Sequence, residues 1–186
     1  DSLHGNLDRL QKPAAWDKIG LENGNYYLMT LHRPSNVDEE QKLQELIALL
    51  GEQAAGKPVI FPAHPRTQKQ LEAIGKLPDN IHMVEPLRYL EFIYLVKNAF
   101  AMLTDSGGIQ EETTFLGVPC LTLRENTERP ETITIGTNEL VGLNHDNIIA
   151  AFKKLKAGDG KKGGIPILWD GHAAERIIHS LLKIHA

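Results

Sequence analysis

The sequence predicts one α/β domain built on a doubly wound parallel sheet. Short β-type runs alternate along the chain with helical patterns, the alternation that crossover helices between parallel strands require. The 186 residues are enough for one well-packed domain of this kind and short for two.

The strand runs are residues 26–30, 59–62, 81–84, 100–104, 119–123 and 139–141. Between the first two, Leu43, Leu46, Ile47 and Leu50 recur at i, i+3, i+4 and i+7, the stripe of an amphipathic helix. Asn36, with Glu39 three residues later, resembles a capping box at its start. A second helix is predicted over about 67–76 and a third over about 89–98, and a fourth begins at Ser106. Ile148, Phe152 and Leu155 mark a fifth. The last helix, with Asp170 as N-cap, carries Ala174, Ile177, Ile178, Leu181 and Leu182 on one face. Residues 1–25 read as a linker or domain start, and the Gly- and Lys-rich stretch 157–166 as a mobile surface loop. The chain is one Rossmann-like domain without internal repeats.

Composition narrows the chemistry. With 41% hydrophobic and 24% charged residues the chain is an ordinary globular protein. A net charge of -4 gives no general attraction to nucleic acid or anionic membrane, so any phosphate must be held by local groups. No apolar run approaches the roughly 20 residues that span a bilayer, and no signal peptide opens the chain. The lone cysteine, Cys120, cannot form an internal disulfide, which fits a reducing cytoplasm, and its apolar run reads as a buried strand. A start at Asp1 suggests a piece of a longer protein.

The strongest local signal spans residues 103–112, Leu-Thr-Asp-Ser-Gly-Gly-Ile-Gln-Glu-Glu. An apolar strand ends, two glycines follow, and a helical pattern starts. Unpaired N–H groups at a helix start can bind phosphate, and glycine lets the backbone approach it closely. A serine N-cap followed by a tight turn would read the same way. It is not a Walker loop, because no Gly-Lys-Ser/Thr follows. At about 100° per residue, Ile109, Thr113 and Leu116 share a face, with Glu112 close to it and Glu111 opposite as a solvated acid. Near an apolar face Glu112 needs a partner: a ribose diol, or a neighbouring Arg or Lys.

His32 and Arg33 stand where the first strand run ends, and His64 has the same placement after the second. Both positions fall at the carboxyl edge of the sheet, where ligands collect. An imidazole there can exchange protons near neutral pH, and an arginine can pair with phosphate. His4, His179 and His185 lie in polar or terminal settings without a role. The histidines and Cys120 lack close metal-ligand spacing, so no metal is expected. Phe92 could be core or could stack on a base. Residues 127–131, Thr-Glu-Arg-Pro-Glu, form a charged turn that could equally be a helix start with proline near N1.

Taken together, these blocks resemble the non-hydrolysing UDP-N-acetylglucosamine 2-epimerases. The matching blocks are Thr30-Leu31-His32-Arg33 with Asn36, Pro62-Ala63-His64-Pro65, Glu85-Pro86-Leu87 with Tyr89 and Phe92, residues 103–112, residues 124–131, and 170–177. The likeness implies the C-terminal half of a glycosyltransferase-B type two-domain architecture, with the N-terminal domain absent. It implies that Ser106, Gly107 and Gly108 hold a diphosphate, Glu112 the ribose and Phe92 the uracil. His32 would be the catalytic histidine, and Arg33, His64 and Arg129 would line the cleft. Such enzymes remove UDP across C1 and C2 of the sugar and add it back with C2 inverted, using no added redox cofactor or metal. Their proton-handling acids lie in the other domain. Relatives are commonly dimers, so a homodimer is expected of the full-length protein. One departure is visible: the family often reads His-Arg-Arg-Glu-Asn, whereas Arg33 is followed here by Pro34-Ser35-Asn36. Two alternatives stay open: the nucleotide half of a glycosyltransferase of the same architecture, and a non-catalytic UDP-sugar sensor. A sensor would show a polar surface where a partner domain otherwise docks.

Overall fold

The computed structural model describes residues 1–184, leaving aside the Arg66 side chain; His185 therefore lies outside the described residues. A 3-10 turn at His4–Arg9 leads into α1 (Ala14–Ile19), then β1 (Tyr27–Thr30), α2 (Pro34–Val37), α3 (Glu40–Gln53), β2 (Val59–Pro62), α4 (Pro65–Ile74) and β3 (Ile81–Val84). The second half runs α5 (Tyr89–Asn98), β4 (Ala101–Thr104), α6 (Gly107–Leu116), β5 (Cys120–Thr122), α7 (Pro130–Thr134), β6 (Asn138–Leu140), α8 (His145–Lys156) and α9 (Ala173–Ile184). All strand pairings are parallel, in the order β3-β2-β1-β4-β5-β6. The order reverses between β1 and β4, the switch point at which doubly wound sheets open a crevice beyond their carboxyl ends.

Alternating side chains build a core on each face of the sheet. Tyr27 and Met29 join Leu43, Leu46, Ile47 and Leu50 of α3 and Ile148, Phe152 and Leu155 of α8 on one face. Tyr26 and Leu28 meet Ile93, Val96, Met102 and Cys120 on the other, with Trp16 and Phe92 packed alongside. The four α3 residues are at most 5% exposed, and each such burial contributes about 2 kcal/mol. Among the described residues no helix is long and apolar enough to cross a membrane.

Four local expectations are corrected. The helix expected from about residue 67 starts at Pro65. Asn36 does not open a capping box: α3 has Glu39 as N-cap without a side-chain bond, and Asn36 sits in the short α2, turned inward. Asp170 does not cap α9. Its Oδ1 accepts the His172 N–H at 3.1 Å, while Asp1 accepts from Ala173 (3.0 Å) and Ala174 (2.7 Å) at the helix start. The 157–166 loop is strapped to the sheet edge rather than free. Lys161 donates to the carbonyls of Ile133 and Asn138, and the Gly164 N–H donates to the Ile135 carbonyl at 2.8 Å.

Candidate functional site

The hydroxyls of Thr30 and Thr104, paired across β1 and β4, lie 2.7 Å apart at the ends of their strands. The two loops that follow therefore leave the sheet side by side at the switch point. Asp105, first residue beyond β4 and fully buried, joins them. Its carboxylate accepts the backbone N–H groups of His32 (3.1 Å) and Arg33 (2.9 Å) and the Asn36 amide at 3.1 Å. The His32 Nδ1 lies 2.8 Å away. Asn36 also donates to the Leu123 carbonyl at 3.1 Å, which ties the loop after β5 to the same centre. The residue read as a helix cap is thus a buried crosslink.

Burial pushes the Asp105 carboxyl up, but the hydrogen bonds from His32 and from the Arg33 backbone overcome it and hold the pKa below the ordinary value. The same hydrogen bond raises His32 above its ordinary value, against burial and against the positive charges of Arg33 and Arg124. With Nδ1 engaged by the carboxylate, Nε2 of the half-exposed ring is the nitrogen left for a ligand.

Ser106 is the N-cap of α6 in an extended conformation, and its side chain makes no cap bond. The orphan N–H groups at the start of this helix are thus not claimed by a side-chain cap. Gly108 is exposed, with nothing within 4 Å of a Cβ built on it, and Gly107 is half-buried with the Glu128 carboxylate beside it. Glu112 lies one helical turn further on. Burial pushes its carboxyl up to about 7, a hydrogen bond from the Tyr89 phenol opposes this, and the charge of Glu111 adds to it. Tyr89 in turn is pushed up to about 12 by burial and by Glu112. A cleft of about 440 Å³ runs along this side of α6, lined by Tyr89, Gly108, Glu111, Glu112, Phe115 and Trp169.

Glu111, expected as a solvated acid, has a side chain 40% exposed, but it also borders the cleft and is paired. The sheet-facing residues of α6 are Gln110, Thr113 and Thr114, which turns the 108, 111, 112, 115 stripe toward the cleft. There Glu111 Oε1 lies 2.9 Å from Arg129 Nε. Arg129 is the residue before α7, which starts with proline at N1 as the helix-start reading of 127–131 expects. Thr127 donates to Gln110 at 2.6 Å and accepts the Arg129 N–H at 3.0 Å, fastening this turn to α6. Phe92 lies half-buried against the second core cluster, and His64 is exposed in the loop after β2.

Four residues given no role by the sequence join the site: Asp105, Tyr89, Arg124 and Glu128. Glu128 Oε2 lies 2.8 Å from Arg124 Nη2, and its Oε1 lies 3.3 Å from Arg33 Nη2. Arg33 Nε also donates to the Asp105 carbonyl at 3.1 Å. A charged residue directly after an apolar strand was the available signal for Asp105; Arg124 and Glu128 meet Arg33 only through the fold. Among the described residues no group of three or more His, Cys, Asp or Glu is placed to hold a metal ion.

A family model described as UDP-N-acetylglucosamine 2-epimerase matches residues 1–182. A UDP-N-acetylglucosamine 2-epimerase of Methanocaldococcus jannaschii is 43% identical over 164 residues, which cover 84% of this chain and 44% of that protein. A UDP-2,3-diacetamido-2,3-dideoxy-D-glucuronate 2-epimerase of Pseudomonas aeruginosa is 38% identical over 176 residues, 91% of this chain and 48% of that one. The crystal structure of the Methanocaldococcus jannaschii UDP-GlcNAc 2-epimerase in complex with UDP-GlcNAc and UDP aligns with a TM-score of 0.80 at 39% identity. That alignment covers 97% of this chain and 51% of the other. The chain spans about half the length of the relatives it matches.

Proposed function

The chain belongs to the UDP-N-acetylglucosamine 2-epimerase family, and from that premise we propose that it is the UDP-binding C-terminal half of a UDP-N-acetylglucosamine 2-epimerase. The observation that supports this most is the Ser106–Gly108 helix start at the switch point, free of a side-chain cap, with Glu112 one turn along the same helix. The backbone of Ser106, Gly107 and Gly108 holds the diphosphate at the positive end of α6. Glu112 accepts from the ribose diol, and Phe92 borders the uracil. His32, held by Asp105, faces the sugar and diphosphate, and Arg33, His64 and Arg129 line the cleft.

In the proposed reaction the C2 proton leaves to a base in the other half of the enzyme as the C1–O bond breaks, releasing UDP and a glycal. UDP returns to C1 while a proton enters C2 from the opposite face. This half stabilises the negative charge on the departing diphosphate: the helix start, His32 and Arg33 all face it in that sense. The full-length enzyme is proposed to act in the cytoplasm as a homodimer. The two relatives differ in their sugars, a UDP-N-acetylglucosamine and a UDP-2,3-diacetamido glucuronate, so this half reads the UDP part that both share.

The match to an epimerase family favours this reading over a glycosyltransferase. The surface weighs against a stand-alone sensor: Ile177, Ile178, Leu181, Leu182 and Ile184 on α9 are each more than half exposed, where a self-sufficient module would be polar. Calorimetric titration of the chain with UDP tests the proposal. Binding heat that UDP-N-acetylglucosamine competes away is the expected result, and its absence sinks the site. The chain alone is expected to form no 2-epimer.

A further inference from the structure

The Glu128 carboxylate stands beside the first residue of α6. A Cβ built on Gly107, the first residue of α6, would lie 2.9 Å from Glu128 Oε1 and 3.5 Å from its carboxyl carbon. Arg124 reaches this carboxylate from the loop after β5 and Arg33 from the loop after β1, at 2.8 and 3.3 Å. Two guanidinium groups and a helix start thus converge on one side-chain anion.

The fit is incomplete, and the shortfall is on the cationic side. Arg124 is only 11% exposed, and its Nη1 is buried without a partner among the described residues. A diphosphate offers more oxygens and more charge than a single carboxylate, and guanidinium groups bind such oxygens in pairs. Glu128 itself is 48% exposed on an irregular segment, so packing does not lock it in place.

We propose that Glu128 is an internal stand-in for the diphosphate: it holds Arg33 and Arg124 over the start of α6 while the site is empty, and a nucleotide diphosphate displaces it and takes over both arginines. This rests on the nucleotide-binding reading above and adds a competition to it. The carboxylate keeps the arginines converged, and it lowers the apparent affinity by the fraction of time it closes the site.

Glu128→Gln keeps the size of the side chain and removes the competing charge. Calorimetry on the chain would compare UDP, uridine and inorganic pyrophosphate as probes, with circular dichroism to verify folding and E128A as a second variant. E128Q is expected to bind UDP and pyrophosphate ~5-fold tighter or more, and uridine as the unsubstituted chain does, because uridine brings no phosphate. UDP affinity that is unchanged or weaker in folded E128Q and E128A overturns the stand-in while leaving UDP binding itself intact. Pyrophosphate that binds and tightens, with uridine and UDP both failing, keeps the stand-in and sinks the nucleotide reading. Failure of every probe on both proteins sinks both.

Discussion

The Asp105 carboxylate grips His32 at both ends, 3.1 Å from its backbone nitrogen and 2.8 Å from its Nδ1. The side chain of Asp105 has no exposed surface, whereas that of His32 is 55% exposed. A rigid buried acceptor thus orients an accessible imidazole. The arrangement follows from the chain order of the sheet, because β1 and β4 are neighbours only at the switch point.

Asp105→Asn replaces a carboxylate that accepts from several donors with an amide that has one acceptor atom and brings donors of its own. The expected loss is about 3 kcal/mol of stability, read from denaturant unfolding. The pH profile changes as well. His32 has a raised folded pKa, so its contribution is full below the ordinary 6.5 and is lost as pH rises through the folded value. Asp105 has a lowered folded pKa, so its contribution is full above the ordinary 3.8 and is lost as pH falls through the folded value. The pair therefore stabilises most between those two values, and D105N is expected to flatten that window and return the His32 titration, followed by NMR, toward its ordinary position. A His32 titration unmoved by D105N would exclude the coupling.

Glu112→Gln separates stability from binding. A carboxyl raised from 4.5 to about 7 keeps its proton in the folded state while the unfolded chain has lost it. Stability therefore falls as pH rises from 4.5 to about 7, and the penalty is complete above. Removing the charge is expected to raise the melting temperature at pH ~8 and leave it nearly unchanged at pH ~5. Under the proposed function the same change weakens UDP binding by ~10-fold, since the ribose diol loses a charged acceptor. Equal effects of E112Q on stability at both pH values would contradict the burial of Glu112.

The strand pattern of this chain was legible because each strand is a short apolar run bounded by breakers, and all six predicted runs match strands within about one or two residues. The candidate site was legible only as a location: Ser106–Gly108 and His32–Arg33, each consecutive in sequence, follow the two strands that meet at the switch point. It was not legible where partners come from distant loops: Glu128 meets Arg33 across 95 positions of sequence, and no spacing rule encodes that. Asn36 misled for a physical reason. The local pattern Asn-x-x-Glu suits a cap, but the buried Asp105 offers this amide a stronger, charged acceptor. The partner of Glu111 was not legible because Arg129 reaches it from the turn before α7, and the angle on the helix says nothing of that loop.

Gly107→Ala tests the close approach of an anion to α6. The added Cβ would meet only the movable end of Glu128, at 2.9 Å, and alanine is the better helix former by up to about 1 kcal/mol. The chain is therefore expected to remain at least as stable in thermal unfolding. UDP binding is expected to weaken ~10-fold or more, because the methyl group stands between the diphosphate and the N–H groups at the helix start. Unaltered UDP affinity in G107A would move the diphosphate away from this turn.

Helix α9 is held to the rest of the chain by its N-terminal turn rather than its face. Among its residues Ala173–Ile184 none is buried. This turn is tied by the Asp1 carboxylate on the N–H groups of Ala173 and Ala174, by Glu175, 3.2 Å from His172 Nδ1, and by Arg176, which lies 2.8 Å from an Asp170 oxygen and donates to the Leu168 carbonyl at 2.8 Å. Helices of about a dozen residues are marginal in water without packing. The backbone amides of α9 are therefore expected to exchange with deuterium fastest of the longer helices, and those of β1 and β4 slowest. Making the face polar, as in Ile178→Glu with Leu182→Glu, is expected to change the melting temperature of the chain little, because surface substitutions of this kind stay within about 0.5 kcal/mol. Slow exchange in α9, or a large stability loss in that double variant, would mean that its apolar face is packed rather than open.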